Sequence, residues 1–246
     1  MLNDNSLETI SEVTLAGQAA FYWNAGDTKT IVINGTVGAT TFSNLSVDVF
    51  ILGFNHNSAI EGTNTIHFKI GKINGVQVGL VDSNYGNSGS SKSYFKMNAS
   101  NTNSGGWNGS SMRKNLHSLL AALPADLRAV MKAVTKYSDN TGGGSYTASY
   151  VTSTTDYLFL LAEYEYHGAR NYANSAEKNY QAQYDYYKAG NSKIHYKHNA
   201  TGTAAIAWCR SVSSGDSTTF CCVGTDGSAG TSGVLYSYGV APAFVV

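Results

Sequence analysis

The chain has 246 residues, a formal net charge of zero and only 13% charged residues. It contains no basic patch and no acidic tail, so nucleic-acid binding is not expected. Because 42% of the residues are hydrophobic, the chain is not disordered, and its 26 glycines and 17 tyrosines indicate a loop-rich surface on an ordered core.

The N-terminal segment 1–25 is predicted to be helical and to carry no targeting signal. Leu7–Trp23 spaces its apolar residues roughly as a helix does, and Gly17 interrupts the pattern. Met1–Ser11 is polar and acidic, without the basic start and apolar run of a signal peptide. No stretch approaches the about 18 apolar residues of a membrane span. We expect a protein made in the cytoplasm, without membrane insertion, that reaches the outside by lysis or assembly if it acts there.

Strands are predicted next, followed by two central helices. Asn34-Gly35 and Asn74-Gly75 are typical hairpin turns. Strands are expected at Thr28–Ile33, Val47–Phe54, His67–Gly71 and Val76–Asp82. The Ser-, Asn- and Gly-rich stretch 84–106 reads as a long loop, and long loops are usually functional or mobile. The helices are Trp107–Leu123 and a second one that begins at Pro124 and continues through Leu127, Val130, Met131 and Val134.

The rest of the chain is predicted to return to strands. After a flexible loop at Thr141–Tyr150 come a hydrophobic strand, Asp156–Leu161, and a partly helical, tyrosine-rich stretch, Glu163–Tyr187. Further strands are expected at Ala204–Trp208, Phe220–Val223 and Gly239–Val246. Helices flanked by strands at both ends, with no linker and no repeat, predict one α+β domain over residues 1–246.

The tyrosines allow two interpretations. Tyrosine gives a large contact area at low entropy cost, as in evolved binding surfaces, but it also covers cores while its hydroxyl finds a partner. We expect the second role for the crowded segment and regard Tyr236 and Tyr238 as better candidates for ligand contact. The crowded tyrosines are Tyr164, Tyr166, Tyr172, Tyr180, Tyr184, Tyr186 and Tyr187.

The composition of the last 38 residues, Cys209–Val246, is unusual because it lacks Lys, Glu, Gln, Met and Trp. These types make up about one residue in seven before that point. One mechanism would leave out these five types. If adenines in Asn codons are replaced at random, the resulting codons encode none of the five. The alternative is a glycine- and serine-rich closing hairpin that needs no long side chains.

Four motifs resemble a bacterial and phage family. They are the helix start Trp107-Asn-Gly-Ser-Ser-Met-Arg113, the strand Thr154-Thr-Asp-Tyr-Leu-Phe-Leu-Leu161, the strand Ala207-Trp-Cys-Arg-Ser211 and the ending Gly239-Val-Ala-Pro-Ala-Phe244. They are similar to the W-x-x-S-x-x-R, "TTDKVFLLS", "WWLRS" and "GVRPAF" motifs of that family. The resemblance extends over most of the chain, from Gly26 onward. Ala207 and Cys209 depart from "WWLRS".

This resemblance implies a C-type-lectin-like fold, which formylglycine-generating enzymes share. It would have a mixed sheet, two central helices and a long, loop-rich C-terminal hairpin region. Some members of the family are variable proteins of diversity-generating retroelements, which mutate adenines in one 3′ stretch of a target gene. We therefore expect 207–246 to be a variable region.

The resemblance also divides that region into scaffold and ligand-contacting residues. The expected scaffold residues are Trp208, Arg210, Ser211, Phe220, Val240, Pro242 and Phe244. The other set consists of the two departures, turn residues and strand positions expected to point outward. Its members are Ala207, Cys209, Val212, Ser213, Ser214, Asp216, Thr218, Cys222, Gly224, Thr225, Asp226, Thr231, Val234, Leu235 and Tyr236.

No metal, cofactor or catalytic group is expected. Cys209, Cys221 and Cys222 do not have the copper-site spacing of formylglycine-generating enzymes, and we expect one of the adjacent pair in the core and the other at the surface. His195 and His198 are interpreted as part of a polar surface strand rather than a zinc site. The calcium motifs of true C-type lectins are missing, as are a G-x-S-x-G elbow and a phosphate-binding loop.

The resemblance thus implies a non-enzymatic binding protein on a phage tail or a cell surface. Its partner would be a cell-surface protein or glycan of a host or target cell. The resemblance further implies virion display and a homotrimer or other homo-oligomer, neither of which the sequence itself indicates. The alternatives are a structural virion or surface domain without a ligand, and a copper-dependent oxidase of the formylglycine-generating type.

Overall fold

The computed structural model of the protein describes residues 1–89 and 93–246. The N-terminal segment forms two helices rather than one, α1 (Leu7–Leu15) and α2 (Ala19–Tyr22). The Ser6 hydroxyl caps α1 by accepting from the Thr9 amide at 3.0 Å. Gly17 separates the helices because its φ of 72° lies in the left-handed region.

The remaining helices are short, apart from the central one. The Ser110 hydroxyl caps α5 by accepting from the Arg113 amide. Among the described residues, none of the helices has the length and apolar character needed to cross a membrane. The bounds are Ser58–Glu61 (α3), Gly106–Gly109 (α4), Ser111–Ala122 (α5), Ala125–Val130 (α6), Glu163–His167 (α7) and Asp185–Lys188 (α8).

The strands form one large mixed sheet and two small antiparallel ones. Their bounds are Thr28–Val37 (β1), Thr40–Phe54 (β2), Ile66–Ile73 (β3), Val76–Gly79 (β4), Val134–Asp139 (β5), Val151–Asp156 (β6), His195–Lys197 (β7), Ala200–Ala205 (β8), Ala207–Val212 (β9), Thr219–Val223 (β10), Ala229–Gly233 (β11) and Ala243–Val245 (β12). The large sheet has the order β1-β2-β3-β4-β7-β8, and β12 also pairs with β3. Only the β4–β7 pairing in it is parallel. The small sheets are β11-β10-β9 and β5-β6.

The C-terminus is built into the core. Val246 is fully buried, and its carbonyl accepts from the Ile66 amide at 2.9 Å. Phe244 in β12 stacks on Phe68 in β3, with ring centroids 5.4 Å apart. N-terminal and C-terminal strands therefore share one sheet and one hydrophobic core. The architecture is α+β with a mixed sheet, as predicted.

Two predicted element boundaries are wrong for the same reason. Asn34-Gly35 is not the hairpin turn, because β1 and β2 remain paired beyond it and the register only shifts there. The turn lies at Gly38, whose φ is 62° and where a Cβ would fall 1.9 Å from the Tyr94 ring. Likewise, the second central helix ends at Val130, and Val134 begins β5 instead. In both cases strand pairing overrides the signal of a few neighbouring residues.

The predicted strand Asp156–Leu161 is also absent. Strand β6 ends at Asp156, and the following apolar residues are buried without joining a ladder. Phe159 forms a single bridge to Ala243, with each amide donating to the carbonyl of the other residue. The apolar run therefore indicated burial correctly but not strand pairing. Loops occupy most of the described parts of the predicted loop 84–106 and of 141–150, and Ser90, Ser91 and Lys92 lie outside the described residues.

Candidate functional site

Strand β9 is anchored to the core by one fully buried arginine, Arg210. The Arg210 guanidinium donates to both Glu165 carboxylate oxygens, at 2.5 and 2.9 Å. It also donates to the Leu160 carbonyl at 2.8 Å and to the Ser138 hydroxyl at 2.9 Å. Burial opposes the charged form of Arg210, but Glu165 outweighs it and raises the arginine pKa above its usual range. The strand is thus fixed to α7 and β5.

A buried lysine extends this charge cluster. Lys136 Nζ lies 2.5 Å from Glu61 Oε2, 3.2 Å from Glu165 Oε1 and 2.9 Å from the Tyr184 hydroxyl. Burial alone would raise the pKa of Glu165, but Arg210 and Lys136 hold it below its ordinary value. These charges form a compensated network inside the protein.

The same cluster contains the one triad of described residues that could hold a metal ion. Single donor atoms of His56, Glu61 and Glu165 lie within 4.8 Å of one another. However, the Lys136 ammonium already contacts both carboxylates. Burial lowers the pKa of His56 to about 3, so this side chain is neutral and stacks on Tyr184 at 3.7 Å. The donor set therefore matches an internal ion-pair network better than a metal centre.

Two buried glutamates bind the chain segments that surround β9. Glu163 binds the loop 171–173, and Glu177 binds β9 and β5. Glu163 accepts from the amides of Asn171, Tyr172 and Ala173 at about 3 Å. Glu177 accepts from the Ser211 hydroxyl at 2.6 Å and from the Asp139 amide at 2.9 Å. Burial raises the pKa of Glu177 to about 7. Polar groups thus connect β9 to the segments on both sides of it.

A second buried lysine lies in the large sheet without a carboxylate in contact among the described residues. Lys69 Nζ lies 2.8 Å from the Tyr187 hydroxyl, 3.1 Å from Gln77 Oε1 and 2.5 Å from His195 Nε2. Burial lowers the pKa of Lys69 well below its usual value. His195 is fully buried, so the interpretation of His195–His198 as a polar surface strand is wrong. The Lys69 side chain and the Tyr166 ring cover it, with the Tyr166 and His195 ring centroids 5.9 Å apart.

The tyrosine-rich segment mostly covers the core, as expected. Tyr166, Tyr184, Tyr186 and Tyr187 are buried, and the hydroxyls of Tyr184 and Tyr187 bond to the two buried lysines. Tyr164 and Tyr180 are half-buried, and Tyr172, at 43% exposure, is the exposed member of the segment.

The expected scaffold residues all lie in the interior. Trp208 is 1% exposed and its indole N–H donates to the Phe95 carbonyl at 3.0 Å. The others, all buried, are Arg210, Ser211, Phe220, Val240, Pro242 and Phe244.

Seven of the fifteen predicted ligand-contacting residues are buried too. The expectation that Val212, Cys222 and Val234 point outward is wrong, since they are 0%, 4% and 0% exposed. Alternation fails because β9, and β10 after its first residue, are covered on both faces. We call the seven the buried set: Ala207, Cys209, Val212, Ser213, Ser214, Cys222 and Val234.

The two serines of the buried set were chosen as turn residues, but a neighbouring segment covers them. Ser213 forms a bridge with Ala173, and the Ser214 amide donates to the Tyr172 carbonyl at 2.8 Å. The three cysteines lie in the interior as well, so the prediction of one buried and one exposed member in the adjacent pair is wrong. Burial raises the pKa of the Cys222 thiol to about 12.

The other eight predicted residues have exposed or half-exposed side chains on turns and on the edge strand β11. Asp216 accepts from the amide and hydroxyl of Thr218, and Asp226 accepts from those of Ser228. These turn contacts join residues only two positions apart, so each turn is held locally. We call the eight the exposed set: Asp216, Thr218, Gly224, Thr225, Asp226, Thr231, Leu235 and Tyr236.

A row of tyrosines borders the exposed set. Tyr236 is 38% exposed and stacks on Tyr238 with a 5.7 Å centroid distance and a 7° interplanar angle. Tyr238 contacts Tyr85 edge-on at 5.7 Å and rests on the buried Trp208 at 5.2 Å. Lys197 Nζ lies 4.2 Å over the Tyr85 ring. We call Tyr85, Tyr236 and Tyr238 the tyrosine ladder. The sequence indicated Tyr236 and Tyr238 as candidates for ligand contact but not Tyr85, which is distant from them in sequence.

Comparison with known proteins identifies a family for most of the chain. The family model described as "Domain of unknown function (DUF6273)" matches residues 80–246. That range contains Arg210, Lys136 and Glu165 of the charge network, both sets and the tyrosine ladder, whereas Glu61 lies outside it. No curated protein and no solved structure matches the chain. Since more than half of the chain is matched, it belongs to this family.

Proposed function

We propose that this DUF6273 member is a non-enzymatic recognition protein with a C-type-lectin-like scaffold. Its C-terminal region binds a cell-surface protein or glycan of a host or target cell, from a phage tail or a cell surface. In this proposal a diversity-generating retroelement varies the gene segment that encodes the binding face.

The observation that supports this proposal is the difference, within residues 207–246, between a strand fixed in the core and residues exposed at the surface. Strand β9 is fixed by Arg210 and its fully buried partners, whereas the exposed set lies on turns and an edge strand. Changes at exposed positions usually alter stability by less than about 0.5 kcal/mol, yet the same positions can dominate binding at an interface. A fixed platform with a replaceable surface suits recognition that changes with time.

The chemistry of the binding face also favours recognition over catalysis. The tyrosine ladder offers aromatic area with few rotatable bonds, which is economical for contact. The cysteines that an oxidase would need do not form a pair that could chelate one ion, because Cys221 and Cys222 are neighbours on β10 and their side chains point to opposite faces. The oxidase alternative is therefore disfavoured, and the principal competitor is a structural domain without its own ligand.

The test is to sequence the coding DNA and its downstream flank. The proposal expects a near-identical template repeat matched to residues 207–246, differences confined to adenines, and a neighbouring reverse-transcriptase gene. The differing codons should fall mainly on the exposed set. A flank with neither repeat nor reverse transcriptase would favour the structural domain.

A further inference from the structure

A buried lysine and a buried glutamate lie in contact on two segments that are far apart in sequence. Lys136 belongs to β5, and Glu61 is the last residue of α3, 75 positions away. Lys136 Nζ lies 2.5 Å from Glu61 Oε2, and the two side chains are 0% and 2% exposed. The structure therefore holds together an amine and a carboxyl group, which are the two groups that condense to an amide.

The surroundings of this pair exclude water and disfavour charge. Lys136 Nζ lies 4.4 Å from the centre of the Phe159 ring and 5.3 Å from that of the Tyr184 ring. Burial raises the pKa of the Glu61 carboxyl above its ordinary value, although Lys136 opposes this rise. Transfer of one proton from the Lys136 ammonium to Glu61 removes both charges. It leaves a nucleophilic amine beside a carboxylic acid.

A second carboxylate lies at the same nitrogen. Glu165 Oε1 is 3.2 Å from Lys136 Nζ, and Arg210 donates to both oxygens of Glu165 and keeps it ionised. An ionised carboxylate is a poor electrophile, but it stabilises the positive charge that develops on the lysine nitrogen during attack. Condensation removes one positive and one negative charge, so the Arg210–Glu165 pair stays compensated afterwards.

We propose that Lys136 and Glu61 condense to an intramolecular amide in the folded protein. The amine nitrogen forms a new C–N bond to the Glu61 carboxyl carbon, Cδ, and the bond from Cδ to the acid hydroxyl breaks. The hydroxyl leaves with one nitrogen proton as a water molecule, so the step needs no oxidant, reductant or other reactant. Contact in the folded chain replaces a slow encounter between two separate groups.

Two other buried cations each lack a feature that this step requires. Lys69 has no carboxylate in contact among the described residues, and its nitrogen lies against Tyr187, Gln77 and His195. Arg210 contacts a carboxylate, but its guanidinium stays protonated and does not act as a nucleophile. Of these three cations, Lys136 alone combines an amine with a carboxyl group that can be protonated.

The bond joins α3 to β5 and closes a long loop. A cross-link between residues far apart in sequence stabilises a fold by restricting the unfolded chain, as a disulfide does. The three cysteines of the chain are free and buried, so they supply no such link. The inference does not depend on the proposed recognition function, because both residues lie in the core and neither belongs to the exposed set.

The intact mass of the full chain, measured after denaturation, tests the proposal. The wild-type protein should be lighter than its sequence requires by one water molecule. Lys136→Arg keeps the positive charge but removes the amine, and should have the full mass. Lys132→Arg is the matched control, because Lys132 Nζ donates to the Asn64 carbonyl, and it should lose water as the wild type does. A wild-type chain with the full mass would overturn the proposal, whether or not Lys136→Arg folds.

Peptide mapping locates the bond. Trypsin does not cleave after an acylated lysine, so the amide should give one cross-linked peptide that joins residues 30–69 to residues 133–170. Fragmentation should place the link at Glu61 and Lys136. Complete cleavage after Lys136, or a water loss that maps to another site such as an aspartate cyclised to a succinimide, would contradict the assignment.

Discussion

Replacing Arg210 with methionine removes the charge that fixes β9 to the core. The variant loses both bonds to Glu165 and those to the Leu160 carbonyl and the Ser138 hydroxyl. Removing one partner of a buried ion pair costs about 3–5 kcal/mol, because the other charge remains buried. Lys136 still contacts Glu165 at 3.2 Å and partly compensates it, so we expect about 3 kcal/mol from the pair.

The two orphaned acceptors add to this cost without being fully additive, giving an expected total of about 3–5 kcal/mol. That is a large share of the about 5–15 kcal/mol by which domains are stable. Equilibrium unfolding in urea measures the loss of free energy. Arg128→Met is the control, because this exposed arginine makes one bond, to the Leu123 carbonyl, and should cost less than about 1 kcal/mol. An Arg210→Met cost below about 1 kcal/mol would refute the anchoring role of the charge network.

Three further predictions concern protonation, surface and backbone. Burial lowers the pKa of His56 to about 3, whereas this side chain takes up its proton near pH 6.5 in the unfolded chain. The free energy of unfolding therefore falls as the pH drops below about 6.5. His56→Phe should reduce that loss between pH 6.5 and 5 by about 1.5 kcal/mol, measured by urea unfolding at each pH. Tyr236→Ser should change the unfolding free energy by less than about 1 kcal/mol, whereas Val234→Asp, fully buried, should prevent folding as judged by circular dichroism. Gly106→Ala should lower the melting temperature more than Gly143→Ala. Both glycines have positive φ, but a Cβ at Gly106 would fall 2.0 Å from the Asp139 carbonyl oxygen, whereas a Cβ at Gly143 would meet open space. Equal losses at the two glycines would contradict this steric argument.

Local sequence signals predicted the elements that short-range chemistry determines. The Asn74-Gly75 hairpin turn is confirmed, with both residues at positive φ. The strand at Phe220–Val223 is present with a one-residue boundary change, whereas the predicted helix Trp107–Leu123 is divided into α4 and α5 at Ser110. In each case the stabilising contacts lie close to the signal itself.

The charge network could not be predicted, because its partners are far apart in sequence. Lys136 reaches Glu61 across 75 positions and Glu165 across 29, and Arg210 reaches Glu165 across 45. A weak signal existed only for the second buried lysine, since Lys69 lies between Phe68 and Ile70 in β3. A lone charge in an apolar run indicates burial with a partner but does not say which partner.

The burial of Val212 and Cys222, two of the seven buried contact residues, has a different origin. An alternating pattern was assumed for strands that turn out to be covered on both faces. Val212 and Cys222 illustrate this, because neighbouring segments occupy the side that was expected to face solvent. No local pattern distinguishes a one-sided strand from one inside a layered core.

The claim that residues 207–246 combine a fixed platform with a replaceable surface can be measured with two libraries. One randomises the exposed set and the other randomises the buried set, with the rest of the chain unchanged. The fraction of clones that resist proteolysis reports folding in each library. The account predicts that most clones with a randomised exposed set stay folded and that very few with a randomised buried set do. Equal fractions in the two libraries would contradict it.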